Sequence, residues 1–246
     1  MKKFVIITLV VLHSLMAVMA QAPADRIASD VQSMAQQCEV LSAEECVVQA
    51  QEWVASIPST DVLAYASQAQ KVLYPPYSTL NKRIAYRLLL ERLLQSGGDD
   101  VALLRYRYMY ESLCRNNEGD EATDFVYYDA DGNEHTLQSH RGQKTLIIFN
   151  DPECEECAAL RRHIANKREL QGMPIDEATT VLVIYPDEPT DTWREAVSHY
   201  PESWIVGYSE DVSDVYDLRT LPSTYMLDEN HLILLRDAHT YITVIE

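Results

Sequence analysis

Between residues 24 and about 117, apolar positions return every three to four residues, the rhythm of helices that each bury one face. Ile27, Val31, Met34, Ala35 and Cys38 trace the first stripe. Ser42, with Glu45 three positions later, has the spacing of a capping box and predicts a second helix through Cys46, Val47, Ala50, Trp53, Val54 and Ile57. A third is predicted over residues 60–74, where Pro75-Pro76 cannot continue it. A fourth follows Ser78 through Ile84, Leu88 and Leu93 to Gly97-Gly98, and a fifth, capped by Asp99 or Asp100, ends near Cys114. Short connections between amphipathic helices favour a compact antiparallel bundle, here assigned to residues 23–118.

Near residue 120 the period falls to two. Residues 125–128 and 134–137 flank the turn Asp129-Ala130-Asp131-Gly132 and read as a hairpin. The pattern then predicts a buried strand at 145–149, a helix from 154 to about 167, a strand at 179–185 and a helix at 192–199. A short strand at 204–206, a short helix at 212–216 and a closing hairpin of 224–227 with 232–235 complete the chain. Alternating strands and helices followed by antiparallel strands make residues 121–246 an α/β sandwich behind a separate all-α helical domain.

The first 22 residues stand apart from both. Met1-Lys2-Lys3, an apolar run from Phe4 to Leu12, and small residues at Ala17, Ala20 and Ala22 predict a secretory signal peptide, cleaved after Ala20 or Ala22. The stretch from Phe4 to Met19 is short for a bilayer span and is broken by His13 and Ser14. The expected location is therefore periplasmic or otherwise exported, with no stable membrane span after cleavage. The formal charge of −18 makes nucleic acid an unsuitable partner. It is also uneven: 25 of the 38 acids fall after residue 120, against nine of the 20 basic residues, so the two domains differ in surface.

Five cysteines in an exported chain meet oxidants. Cys154 and Cys157, in "LIIFNDPECEECAALRRHI", sit where the apolar strand ends and a helix begins. There the unsatisfied amides and positive end of the helix dipole favour thiolate over thiol at the first sulfur. A second cysteine one turn on can resolve a mixed disulfide formed at the first. Two other readings stay open: a structural bridge, and part of a zinc site with His163, for which no second C-x-x-C supplies the missing ligands. Cys38 and Cys46, at the end of one helix and the start of the next, are within reach of a structural disulfide across a tight helical hairpin. Cys114 is left over and is expected to be buried and inert. Leu160 and Ile164 read as core, and Arg161 and Arg162 as a solvated face.

The order of pieces from about residue 123 onward resembles the thioredoxin superfamily, and in particular the exported TlpA/ResA-like thiol-disulfide oxidoreductases. "FVYYDADGNEHTLQSHRGQKTLIIF" supplies the hairpin and first buried strand, "CEEC" the helix start, and "LPSTYMLDENHLILL" a proline and closing hairpin. The resemblance implies a thioredoxin-like sandwich in which Pro222 is cis and stands beside the cysteine pair. It also implies that Leu221 offers main-chain hydrogen bonds to a substrate strand and that Ser223 helps shape the groove. No cofactor and no metal are implied; the partners would be disulfide-containing protein substrates and a redox partner protein.

Three departures qualify the family pattern. Ile148 stands where thioredoxin has a buried carboxylate, Leu221 where the family commonly has Thr, and Glu153, Glu155 and Glu156 surround the pair. Negative charge opposes thiolate formation, so a reductant or isomerase is expected rather than a strong oxidant. The other reading is a non-catalytic adaptor whose helical domain recognises a partner, favoured by Ile148 and the glutamates. The helical domain, with its "LYPPYS" break, also resembles that of uncharacterised exported proteins of anaerobic Gram-negative bacteria.

Overall fold

The structure, a computed structural model, describes residues 23–97, 101–170 and 172–237. The expected signal peptide and the capping residues Asp99 and Asp100 lie outside them. The chain divides into two compact units between Arg107 and Tyr108, inside the fifth helix.

The first unit contains α1 (Pro23–Cys38), α2 (Ala43–Ser56), α3 (Val62–Leu73), α4 (Leu80–Gln95) and the start of α5 (Val101–Leu113). The capping box forms: Ser42 Oγ accepts from the Glu45 amide, and the Glu45 carboxylate accepts from the Ser42 amide. At the other end of α2, where Val54 O accepts from the Ile57 amide at 3.3 Å, Arg92 of α4 adds side-chain donors to the carbonyls of Val54 and Ile57. Tyr65 donates to Asp30 at 2.5 Å and joins α3 to α1. Ala50, Ala66, Ala69 and Ala85 are wholly buried, as are Leu89 and Leu90, so the core of this unit mixes small and large apolar side chains.

The second unit is a seven-stranded mixed sheet in the order β2-β1-β7-β6-β3-β8-β9. Its strands are β1 (Val126–Asp129), β2 (Glu134–Thr136), β3 (Thr145–Phe149), β6 (Thr180–Tyr185), β7 (Ile205–Tyr208), β8 (Ser223–Leu227) and β9 (Ile233–Arg236). Helices α6 (Glu155–Lys167) and α7 (Asp191–Val197) make the crossovers between the parallel strands β3, β6 and β7. A two-stranded ribbon, β4 (Glu169–Leu170) with β5 (Met173–Pro174), follows α6 and escaped the sequence pattern because each strand has only two residues. The segment expected as a helix at 212–216 is a single 3-10 turn, Val212–Asp214.

Alternation along β3 divides the core. Leu146 and Ile148 join Leu160, Ile164, Val181, Val183 and Met226 on one face of the sheet. Ile147 and Phe149 join Phe125, Tyr127, Tyr216 and Tyr225 on the other, where the rings meet edge-on and tilted at 4.9–6.2 Å. Where β1 joins β7, a Cβ added at Gly207 would lie 2.6 Å from the Tyr128 carbonyl and 2.7 Å from the Tyr127 ring, so only glycine fits. Antiparallel pairing sets Phe149, the last residue of β3, opposite Ser223, the first of β8. That register brings the loop entering β8 to the loop leaving β3.

Candidate active site

After Phe149 the chain leaves the sheet through Asn150, whose amide still donates to Ile184 O at 3.0 Å and whose side chain donates to the Tyr200 hydroxyl. Asp151 Oδ1 accepts from the Glu153 amide at 2.8 Å, and Asp151 O accepts from the Cys154 amide at 3.2 Å. This turn delivers Cys154 to the N-cap of α6, where its Sγ accepts from the Cys157 amide at 3.1 Å. The sulfur thus occupies a position normally taken by a capping oxygen, facing unsatisfied helix amides. Cys154 and Cys157 are joined as a disulfide with a Cα separation of 5.2 Å. They are not equivalent: Cys157 is buried at 2% exposure, whereas Cys154 is half-buried and open to a partner.

The Leu221–Pro222 peptide bond is cis, and the Leu221 carbonyl oxygen lies 3.7 Å from Cys154 Sγ. The structure therefore gathers Cys154, Cys157, Leu221 and Pro222. Ser223 follows them as the first residue of β8. It is buried, with its hydroxyl donating to Asp237 Oδ1 at 2.8 Å, so it anchors the loop and presents no free hydroxyl. Behind the loop Arg236, 6% exposed, reaches Asp217 and Asp237, each at 3.2 Å, while Arg219 grips Asp217 at 2.7 Å. Sequence reasoning missed this cluster, because its members are scattered along the chain and share no local period.

Charge around the sulfurs is one-sided. Glu153, Glu155 and Glu156 are exposed, and Glu156 Oε2 lies 3.8 Å from Cys154 Sγ. Burial raises the Tyr185 hydroxyl above its ordinary range, and Asp151, Asp187 and Glu153 push it the same way, so these acids share one neighbourhood at the end of β6. Ile148 is packed into the apolar layer under α6 and offers no proton acceptor. Arg161, read from sequence as solvated, instead lies half-buried over the Tyr200 ring at 4.9 Å from its centre; burial raises the Tyr200 hydroxyl, and Arg161 opposes the shift. Among the described residues no group of three or more His, Cys, Asp or Glu is arranged to hold a metal ion.

Cys38 and Cys46 meet, as the expected bridge requires, and stand here as two thiols in contact with sulfurs 3.7 Å apart. Cys114 is exposed rather than buried: α5 turns Leu113 inward, and the next residue faces out. No described helix is long and apolar enough to cross a membrane.

No protein-family model matches the chain. Among curated proteins it is 25% identical over 114 residues to the thiol-disulfide oxidoreductase ResA of Geobacillus kaustophilus, covering 46% of this chain and 64% of that one. It is 26% identical over 121 residues to ResA of Halalkalibacterium halodurans, covering 48% and 66%. The matches thus span slightly under two thirds of these relatives' own length. Among solved structures, a thioredoxin-like protein from Bacteroides caccae superposes with a TM-score of 0.67 at 23% identity, covering 88% of this chain and 83% of that one, which establishes a shared fold.

Proposed function

We propose that this chain, whose C-terminal half is a TlpA/ResA-like module of the thioredoxin superfamily, is an exported thiol-disulfide oxidoreductase of reductant or isomerase type. The observation that carries the reading is the half-exposed Cys154 sulfur at a helix N-cap, bonded to a buried Cys157 and facing the Leu221 carbonyl before cis-Pro222. Disulfide-containing protein substrates would lie as an extended strand along Leu221 and Pro222, and a redox partner protein would restore the dithiol. The charged-then-apolar N-terminus supports export.

In the reduced form the Cys154 thiolate, held by the Cys157 amide and the helix end, attacks one sulfur of a substrate disulfide. A mixed disulfide forms and the first substrate thiolate leaves. Cys157, deprotonated with water as proton acceptor because Ile148 supplies none, then attacks the Cys154 sulfur. The Cys154–Cys157 disulfide closes and the second substrate thiolate departs, so two electrons have passed to the substrate. The glutamates around Cys154 disfavour its thiolate and so disfavour a strongly oxidising centre.

The test is capture. A Cys157→Ser chain recovered from its own compartment should carry covalent partners that vanish on reduction, and the wild type should reduce insulin. The adaptor reading, supported by Ile148 and the glutamates, takes over if no mixed disulfide is ever trapped and insulin reduction is absent.

A further inference from the structure

Outside the exchange site, the helical unit holds a second pair of cysteines in contact. Cys38 and Cys46 are 3% and 0% exposed, and their sulfurs are 3.7 Å apart. Both thiols are directed at one acceptor, the carbonyl oxygen of Asn81, at 3.6 and 3.3 Å. The Asn81 side-chain amide in turn donates to Cys38 O at 3.1 Å and Leu41 O at 2.7 Å, so the start of α4 closes over the turn between α1 and α2. Two thiols that share one acceptor and already touch need only to approach to about 2.05 Å to be joined. Burial, with the neighbouring thiol adding to it, lifts Cys38 to about 12, and burial raises Cys46 as well.

We propose that Cys38 and Cys46 are a second redox pair of the chain, oxidised to a disulfide while the helical unit folds and sealed against thiol exchange once it has folded. In the unfolded chain one of the two thiolates attacks an external disulfide, here oxidised glutathione, and expels one glutathione thiolate. The other thiolate then attacks the mixed disulfide, closes the Cys38–Cys46 bond and expels the second. Two electrons pass to glutathione, and the two cysteine protons are taken up by the departing thiolates. In the folded unit the same thiols are rarely ionised and lie under Asn81, so the reaction stalls. The chain would then carry one open pair, Cys154 and Cys157, and one closed pair with a purely structural outcome. The inference stands whether or not the open pair exchanges with proteins.

Exposed Cys114 provides an internal reference. At pH 8 a thiol titrating near 12 has roughly 10³-fold less thiolate than an ordinary one near 8.5. The greater nucleophilicity of a more basic thiolate restores about 10^1.6 of that. Labelling of Cys38 by N-ethylmaleimide should therefore run at least about 25-fold slower than that of Cys114, with burial widening the gap, and Cys46, raised in the same direction, should also lag Cys114 by more than about ten-fold. The experiment uses fully reduced, full-length Cys154→Ser/Cys157→Ser chain, with each cysteine read separately by peptide mass. Refolding from urea with oxidised glutathione should yield a Cys38–Cys46 linked peptide, and the folded dithiol given the same oxidant for the same time should yield none. Labelling within ten-fold of Cys114, equal oxidation of folded and unfolded chain, or refolding without the link would each overturn the proposal. If the double variant does not fold, the same peptides read in the wild type decide the matter.

Discussion

Asp217 is held by two arginines of unequal burial, and replacing each in turn separates what a buried charge contributes from what an exposed one does. Arg236 is 2% exposed at its side chain and bridges Asp217 and Asp237, whereas Arg219 is 36% exposed and meets the same Asp217. Arg236→Met keeps most of the volume but leaves two nearly buried carboxylates short of a cation. Breaking a buried pair costs about 3–5 kcal/mol. Arg219 and Ser223 still hold one carboxylate each, which places the loss near the lower end, about 3 kcal/mol. For a unit of this size that corresponds to a fall in Tm of roughly 10 °C. Arg219→Gln removes a solvent-screened partner and should cost at most about 1 kcal/mol. Urea unfolding in a Trp53→Phe background, where Trp193 and Trp204 report the second unit, measures both by linear extrapolation. Because this cluster anchors the loop at Leu221 and Pro222, Arg236→Met should also slow insulin reduction below the transition. Equal destabilisation by the two variants, within about 0.5 kcal/mol, would show that burial does not set the strength of these pairs.

Three further outcomes follow from other parts of the molecule. Gly207→Ala should destabilise the second unit by about 3 kcal/mol, because the new methyl group meets a backbone carbonyl that cannot retreat without breaking the β1–β7 pairing; thermal unfolding of the purified variant reads it. His140, whose ring nitrogen lies 2.8 Å from the Tyr127 hydroxyl, is held below its ordinary pKa first by burial and then by His231 and His135, so its neutral form is favoured on folding. Its contribution is fully present above about pH 6.5 and is lost as pH falls below that, so unfolding free energy should drop from pH 7 to 5, and His140→Gln should flatten that slope. Asp129, held well below the usual carboxylate range by Asn133, His135 and backbone amides, loses its contribution only in stronger acid and does not confuse that window. Ser42→Ala removes the cap of α2 and should cost about 1 kcal/mol in urea unfolding of the helical unit, while Ser42→Asp should restore most of it.

Much of the architecture is legible along the chain because its causes are local. The stripe from Ile27 to Cys38 and the Ser42–Glu45 box define the first two helices without reference to anything distant. Leu146 to Phe149 form a strand buried on both faces, and Cys154 caps the helix that its own position starts. Errors arise where a residue's environment comes from elsewhere. Arg161 reads as solvated along the chain, yet its guanidinium lies over Tyr200, and nothing near Ser223 in sequence signals Asp237 as the partner of its hydroxyl. Cys114 was expected inside, yet a rotation of one residue along α5 decides whether Leu113 or its neighbour faces the core.

What the residues determine unaided is therefore the longer helices and strands, the strand-to-helix setting of Cys154 and Cys157, and the acids beside them, since each depends on neighbours within a turn or a strand. Tertiary structure alone decides the strand order, the burial of Cys157 against the exposure of Cys154, and the arginine cluster behind the proline loop. It also decides the meeting of Leu221 with Cys154 across 67 residues, because that contact is created by the Phe149–Ser223 pairing. Hydrophobic period carries no information about which distant strand will lie alongside; the closing of the sheet supplies it.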